Sequence, residues 1–223
     1  MAFINFGKKT ISFKIVYYGP AKSGKTTNLE QIHGRVRPNS RGDMTILSTR
    51  EDRTLFFDFL PLRSNVIAGF TSNFQMYTVP GQVIYNQTRK LVLQGVDAVV
   101  FVADSDWAKM EENAESFSNL QENLKEHGKE LSTLPYLLQF NKRDIRTKAP
   151  VNYMKFMLNR VHAAPTIEAV ACEGKGVFES LNLISRLTLA SFMQKQGLTP
   201  KAPSLPSNIC VKPEGSNASC LTS

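Results

Sequence analysis

The apolar positions of this chain change period several times, and each change marks an element. Residues 11–18 (ISFKIVYY) begin by alternating and end apolar, which predicts a strand leading into a glycine-rich turn. Residues 54–60 and 73–79 read as an adjacent strand pair bracketing a Pro- and Gly-containing connection. Residues 98–103 and 135–140 are near-continuous apolar runs, as expected of parallel strands covered on both faces. Residues 110–127 and 176–194 carry helical spacing; in the second, Val177, Leu181, Ile184 and Leu187/Leu189 share a face. A further strand-like stretch precedes Glu168. Strands alternating with helices predict an α/β fold, a mostly parallel twisted sheet flanked by helices on both faces.

Periodicity stops near Gln196-Gly197. Pro200, Pro203 and Pro206 then recur every third residue, which disfavours helix and suits an extended coil. The expected organisation is one domain over 1–196 and a flexible Pro/Ser-rich tail over 197–223. The hydrophobic share of 42% can fill a core and excludes wholesale disorder. Cys172, Cys210 and Cys220 do not make a disulfide framework, so a reducing, cytoplasmic compartment is expected. No apolar run approaches the ~20 residues of a membrane span, and polar residues interrupt the N-terminal stretch too early for a signal peptide. The net charge of +8 is dispersed over the sequence. It fits a solvated basic surface or a charged partner such as nucleic acid, an acidic membrane surface or a phosphorylated ligand, and it lacks the basic stripe with interleaved aromatics that nucleic acid calls for.

Gly19-Pro20-Ala21-Lys22-Ser23-Gly24-Lys25-Thr26 fits G-x-x-x-x-G-K-[ST]. In that pattern glycines let backbone N–H groups wrap a phosphate, and the following helix N-terminus adds its dipole. Lys25 would bridge the β- and γ-phosphate oxygens and the Thr26 hydroxyl would ligate Mg²⁺. Gly19, Ala21, Lys22, Ser23, Gly24, Lys25, Thr26 and Thr27 are the candidate phosphate contacts.

Asn141-Lys142-Arg143-Asp144 follows the apolar run 135–140, at a strand end where a doubly wound sheet places ligand contacts. The Asp144 carboxylate can accept from guanine N1–H and the exocyclic amine together, a pairing adenine does not offer. Asn141 would brace the loop, and the Lys142 stem would cover the base face. Ala171, in Glu168-Ala169-Val170-Ala171-Cys172, is placed to offer its backbone N–H to guanine O6. The ligand expected is therefore GTP or GDP with Mg²⁺.

Together these elements resemble a small Ras-like P-loop GTPase. The strings between them narrow the match. Residues 53–61 (RTLFFDFLP), 77–82 (YTVPGQ) and 89–97 (RKLVLQGVD) closely resemble the bacterial gliding-motility and polarity GTPase family MglA, over about residues 3–194. That resemblance implies slow GTP hydrolysis as a molecular switch for cell polarity or motility. Gln82, after Gly81, matches the glutamine that orients the attacking water, and Arg53 matches an arginine finger supplied in cis. Thr54 matches the switch residue that would join Thr26 on Mg²⁺. Thr78 stands where most Ras-like proteins carry an aspartate, a substitution this family shares. The implied partners are a homodimeric roadblock-fold activating protein, MglB-like, and GTP-state effectors, with localisation to the cytoplasm and a cell pole. A nucleotide-locked binding scaffold with negligible hydrolysis is the alternative, and the Arg53/Gln82 pair separates the two. The strand at 55–60 has apolar residues on both faces, which fits a two-sided buried strand or one that moves between nucleotide states. Cys220-Leu221-Thr222-Ser223 has the form of a C-a-a-X prenylation signal, but bacteria are not expected to prenylate proteins. A membrane contact is expected only if Cys220 carries a lipid.

Overall fold

The alternating run that opens the sequence forms the central strand of an eight-stranded sheet. The computed structural model describes residues 2–46, 58–67, 69–160 and 163–197. Its strands are β1 (Phe3–Asn5), β2 (Thr10–Tyr18), β3 (Thr45–Ile46), β4 (Asp58–Ile67), β5 (Phe70–Thr78), β6 (Ala98–Asp104), β7 (Tyr136–Asn141) and β8 (Thr166–Glu168). Its helices are α1 (Lys25–Arg35), α2 (Asn86–Leu93), α3 (Met110–Glu126), α4 (Val151–Leu158) and α5 (Val177–Lys195). The spatial order is β3-β4-β5-β2-β6-β7-β8, with β1 antiparallel against the start of β2. Pairing is parallel from β5 through β2, β6 and β7 to β8, whereas β4 runs antiparallel to β5. This is the expected arrangement of a Ras-like P-loop GTPase fold.

Each central strand feeds two cores, one per face, because successive side chains point to opposite sides. Ile11, Phe13, Ile15 and Tyr17 of β2, with Val100 and Val102 of β6, pack with Leu29 and Ile32 of α1 and Leu181 and Ile184 of α5. Val16 and Tyr18, with Val99 and Phe101, pack on the other face with Val92 and Leu93 of α2, Leu120 and Leu124 of α3 and Met154 of α4. Burying each of these side chains stabilises by about 1.5–3 kcal/mol, which is why β6 and β7 read as near-continuous apolar runs.

Two expectations are corrected. The connection placed between 60 and 73 is itself strand: β4 continues to Ile67, turns at Gly69 and returns as β5, with a bulge between Ser64 and Val66. Pro61 sits inside β4, opposite Gln75, and takes part on its outer side as an acceptor, its carbonyl receiving the Gly42 N–H at 2.9 Å, so its missing N–H costs no ladder bond there. In α5, Leu189 packs half-buried against the core as expected, whereas Leu187 does not join it; buried Thr188 takes the inward position, its hydroxyl donating to the Ile184 carbonyl at 2.7 Å. Residues 54–57 of the first expected strand lie outside the described residues.

From β2 the chain steps outward to β5, then passes back over β2 to β6, β7 and β8. The C-terminal ends of the parallel strands therefore open onto one crevice, the place where such sheets bind ligands. Among the described residues no helix is long and apolar enough to cross a membrane.

Candidate nucleotide-binding site

Five strand ends deliver the candidate residues. Tyr18 of β2 leads directly into the loop 19–24, and α1 begins at Lys25. Gly24 holds φ +101°, and a Cβ there would lie 2.2 Å from Asn141 Nδ2, so only glycine fits. Lys22, a non-glycine, is held at φ +59° in the same loop. The N-terminus of α1 has no side-chain cap and no acidic residue in its first turn. Its first-turn amides thus keep their donors for a group outside the helix, and the dipole favours an anion there.

Within the loop, Lys25 is buried, and its ammonium donates to the Gly19 and Pro20 carbonyls at 3.0 and 2.6 Å. Those bonds arch the loop over the lysine head. Ser23 is fully buried, and its hydroxyl finds no partner among the described residues. An orphaned buried hydroxyl inside an anion cradle is what a bound phosphate would satisfy. Thr26 and Thr27 are half-buried in the first turn of α1. Ala21, Lys22, Lys25 and Thr26 line a cavity of about 180 Å³, closed on the far side by Thr78, Gly81 and Gln82. Gly81 presses on the loop so closely that a Cβ would lie 2.2 Å from the Ala21 Cα.

At the end of β7, Asn141 joins two distant segments. Its Nδ2 donates to the Ser23 carbonyl at 2.7 Å and its Oδ1 accepts from the Ala171 N–H at 2.8 Å. The bracing role expected of Asn141 is thus the geometry observed, while the Ala171 N–H is already engaged by Asn141. Helix α1 ties to the same loop further along: Gln31 donates to the Cys172 carbonyl at 3.1 Å and Arg35 to the Glu173 carbonyl at 2.9 Å. Lys142 takes φ +64° and its ammonium donates to Asp104 Oδ2 at 2.6 Å. Asp144 is exposed, three residues beyond the end of β7. The Lys175 pKa is raised by its hydrogen bond and charge interaction with Glu173, with a smaller pull from Asp144.

Arg53 and Thr54 lie outside the described residues, as do Cys210 and Cys220. Of the other candidates, Ala21, Lys22, Lys25, Thr26, Gly81 and Gln82 line one cavity, and Asn141 ties the loop of Ser23 to Ala171. Sequence reading misses Asp104, which closes buried β6 and holds the Lys142 head; its signal is the pair Asp104 and Asp106 directly after an apolar run. It also misses Arg89, Tyr18, Asn119 and Asn123, a buried polar cluster behind residues 80–82. Burial pushes the Tyr18 phenol up, against the opposing pull of Arg89.

No family model matches the sequence. Over 189 residues the chain is 50% identical to the mutual gliding-motility protein MglA of Myxococcus xanthus (strain DK1622), a match covering 85% of this chain and 96% of that protein.

Proposed function

This chain belongs to the MglA-type family of gliding-motility proteins, and we propose that it is a GTP-hydrolysing switch for cell polarity or motility, slow alone and faster with an activating partner. The observation that carries this reading is Asn141, whose side chain ties the phosphate loop at Ser23 to the base loop at Ala171. A site so braced can present a phosphate cradle and a base acceptor at a fixed separation, which is the requirement for reading a nucleotide.

In this reading Lys25 turns from its loop carbonyls toward the β- and γ-phosphates, and the Ser23 hydroxyl and first-turn amides of α1 meet the remaining oxygens. Asp144 reads the guanine edge and the Lys142 stem lies along the base. Gln82 orients the attacking water, and Arg53 stabilises the charge that develops on the phosphoryl oxygens. Among the described residues no cluster of His, Cys, Asp and Glu could hold a metal by itself. The Thr26 hydroxyl beside the cavity fits Mg²⁺ of the kind that takes most of its oxygens from phosphate and water. Thr26 and Thr54 would hold that ion, which supplies charge neutralisation between the phosphates.

A homodimeric roadblock-fold protein, MglB-like, is the proposed activator, and effectors would read the GTP state. Phosphate release with and without such a partner tests the proposal. A low basal rate, raised by the partner and abolished in Gln82→Ala, is expected; absence of guanine-nucleotide binding would overturn it. One observation favours a nucleotide-locked scaffold as the second reading: Thr78, a neutral hydroxyl, lines the cavity where an acid would strengthen the Mg²⁺ shell. A partner that leaves phosphate release unchanged would select that reading.

A further inference from the structure

Arg89 of α2 is fully buried, and among the described residues its guanidinium meets no carboxylate. A guanidinium cannot shed its proton, so its desolvation has to be met by oriented dipoles. Nε donates to the Pro80 carbonyl at 2.9 Å and Nη2 to the Gly81 carbonyl at 2.5 Å. Nη1 donates to Asn119 Oδ1 at 2.7 Å, and Asn119 also accepts from the Tyr18 hydroxyl at 2.6 Å. The fork is therefore fixed from behind by α3 and by the last residue before the phosphate loop. It spends two arms on consecutive backbone carbonyls.

That choice of acceptors has a geometric result. In a planar trans peptide the C=O and the following N–H point in opposite directions. The Pro80 carbonyl shares its plane with the Gly81 N–H, and the Gly81 carbonyl with the Gln82 N–H. Turning both carbonyls onto Arg89 turns both N–H groups away from it. Neither N–H has a hydrogen-bond partner among the described residues, and Gly81 and Gln82 border the cavity beside Lys25 and Thr26. Two successive unpaired N–H groups at such a cavity form a small anion-binding nest.

We propose that Arg89 is a positioning residue, clamping the Pro80 and Gly81 carbonyls so that the Gly81 and Gln82 N–H groups face the terminal phosphate of a bound nucleoside triphosphate. The inference rests on the GTPase reading and deepens it: the clamp distinguishes triphosphate from diphosphate and sets where Gln82 starts. It makes no contact with a diphosphate, so GDP affinity should be insensitive to it.

The test compares full-length wild type with Arg89→Lys, which keeps the charge but cannot bridge two carbonyls. Affinities for GDP and for a non-hydrolysable GTP analogue are measured together with single-turnover GTP cleavage. Arg89→Lys is expected to bind GDP as wild type does, to lose its preference for the analogue, and to cleave GTP ~10²-fold more slowly, the scale for a misplaced catalytic group. If Arg89→Lys does not fold, Tyr18→Phe and Asn119→Ala are read instead. Each loosens the fork from behind and should give a smaller loss of about fivefold, the worth of one hydrogen bond, again at constant GDP affinity. Wild-type cleavage and wild-type analogue preference in these variants would overturn the proposal. So would a loss of GDP affinity by the same factor as cleavage, which is what a merely structural role gives. A wild type that binds the analogue but never cleaves GTP would defeat the hydrolysis reading alone, since the affinity ratio still tests the clamp.

Discussion

Asn141 donates to the Ser23 carbonyl at 2.7 Å across 118 positions of sequence, while its other amide atom accepts from Ala171. Both bonds are buried, and this one side chain joins the phosphate loop directly to the base loop. Asn141→Ala would leave a buried carbonyl and a buried N–H without partners. Each such orphan costs about 1–3 kcal/mol. Urea unfolding should therefore report a loss in that range or somewhat above it. Guanine-nucleotide affinity should fall by ~10-fold or more, because each 1.4 kcal/mol of lost preorganisation is tenfold. A variant with wild-type affinity would mean that the two loops are held apart correctly by other contacts.

Gly24 faces the same amide from the other side. Its φ is +101°, and Asn141 Nδ2 lies 2.2 Å from the point a Cβ would occupy, which leaves no room for a side chain. Gly24→Ala should combine backbone strain of about 1–2 kcal/mol with displacement of Asn141. The expected signature is a joint loss of stability and nucleotide binding larger than that of Asn141→Ala. The double variant Gly24→Ala/Asn141→Ala should recover part of the stability, since the clash is gone. Additive losses in that cycle would contradict the contact.

Asp104 and Lys142 form the second strut of the base loop. Asp104 is buried; besides Lys142 it accepts from the Asp106 N–H at 3.1 Å. Lys142→Met preserves the stem and strips the charge, leaving the carboxylate one partner short. A hydrogen bond to a charged group contributes about 1.5–3 kcal/mol, and the denaturation midpoint should drop accordingly. Asp104→Asn keeps the Asp106 contact and should cost less. Equal stability of Lys142→Met and wild type would show that water replaces the ammonium without loss.

What is legible in the sequence follows from which signals are local. The phosphate loop and the N-K-x-D run are short strings whose spacing dictates their geometry, and they fall at strand ends as expected. Pro61 and Gly69 read as breaks between strands, because a proline's tolerance on an outer strand depends on what lies beyond it. Arg89, Asn113, Ser116, Asn119 and Asn123 are invisible for a different reason. Helix α3 buries a polar stripe, and a polar residue at helical spacing looks the same in sequence whether it faces water or a buried arginine. Glu111, Glu115, Glu122 and Glu126 are exposed, on the side of α3 away from that stripe. Only tertiary contact with α2 and β2 shows what the other face does.

Alkaline pH should weaken the fold, and the sign follows from two opposed groups of side chains. Burial lowers the pKa of Lys14, with Asp97 opposing it, and lowers that of Lys129 in the same way. A lysine whose folded pKa is lowered releases its proton earlier in the folded state, so its contribution to stability improves as pH rises toward its ordinary value of 10.5. Burial acts in the other direction on Tyr17, Tyr18, Tyr77 and Tyr136, raising each, and Tyr136 to about 12. A raised tyrosine contributes stability that is complete below its ordinary value of 10.0 and is lost as pH climbs through the folded value. Four tyrosines outweigh two lysines above pH 10, so urea midpoints should rise slightly or hold between pH 9 and 10 and then fall toward pH 12. The Tyr17 and Tyr136 hydroxyls have no hydrogen-bond partner among the described residues, so phenylalanine replaces either without breaking a bond. Tyr136→Phe should flatten the alkaline limb while leaving the midpoint at pH 7 close to wild type. An alkaline limb of unchanged steepness in that variant would assign the decline to other groups.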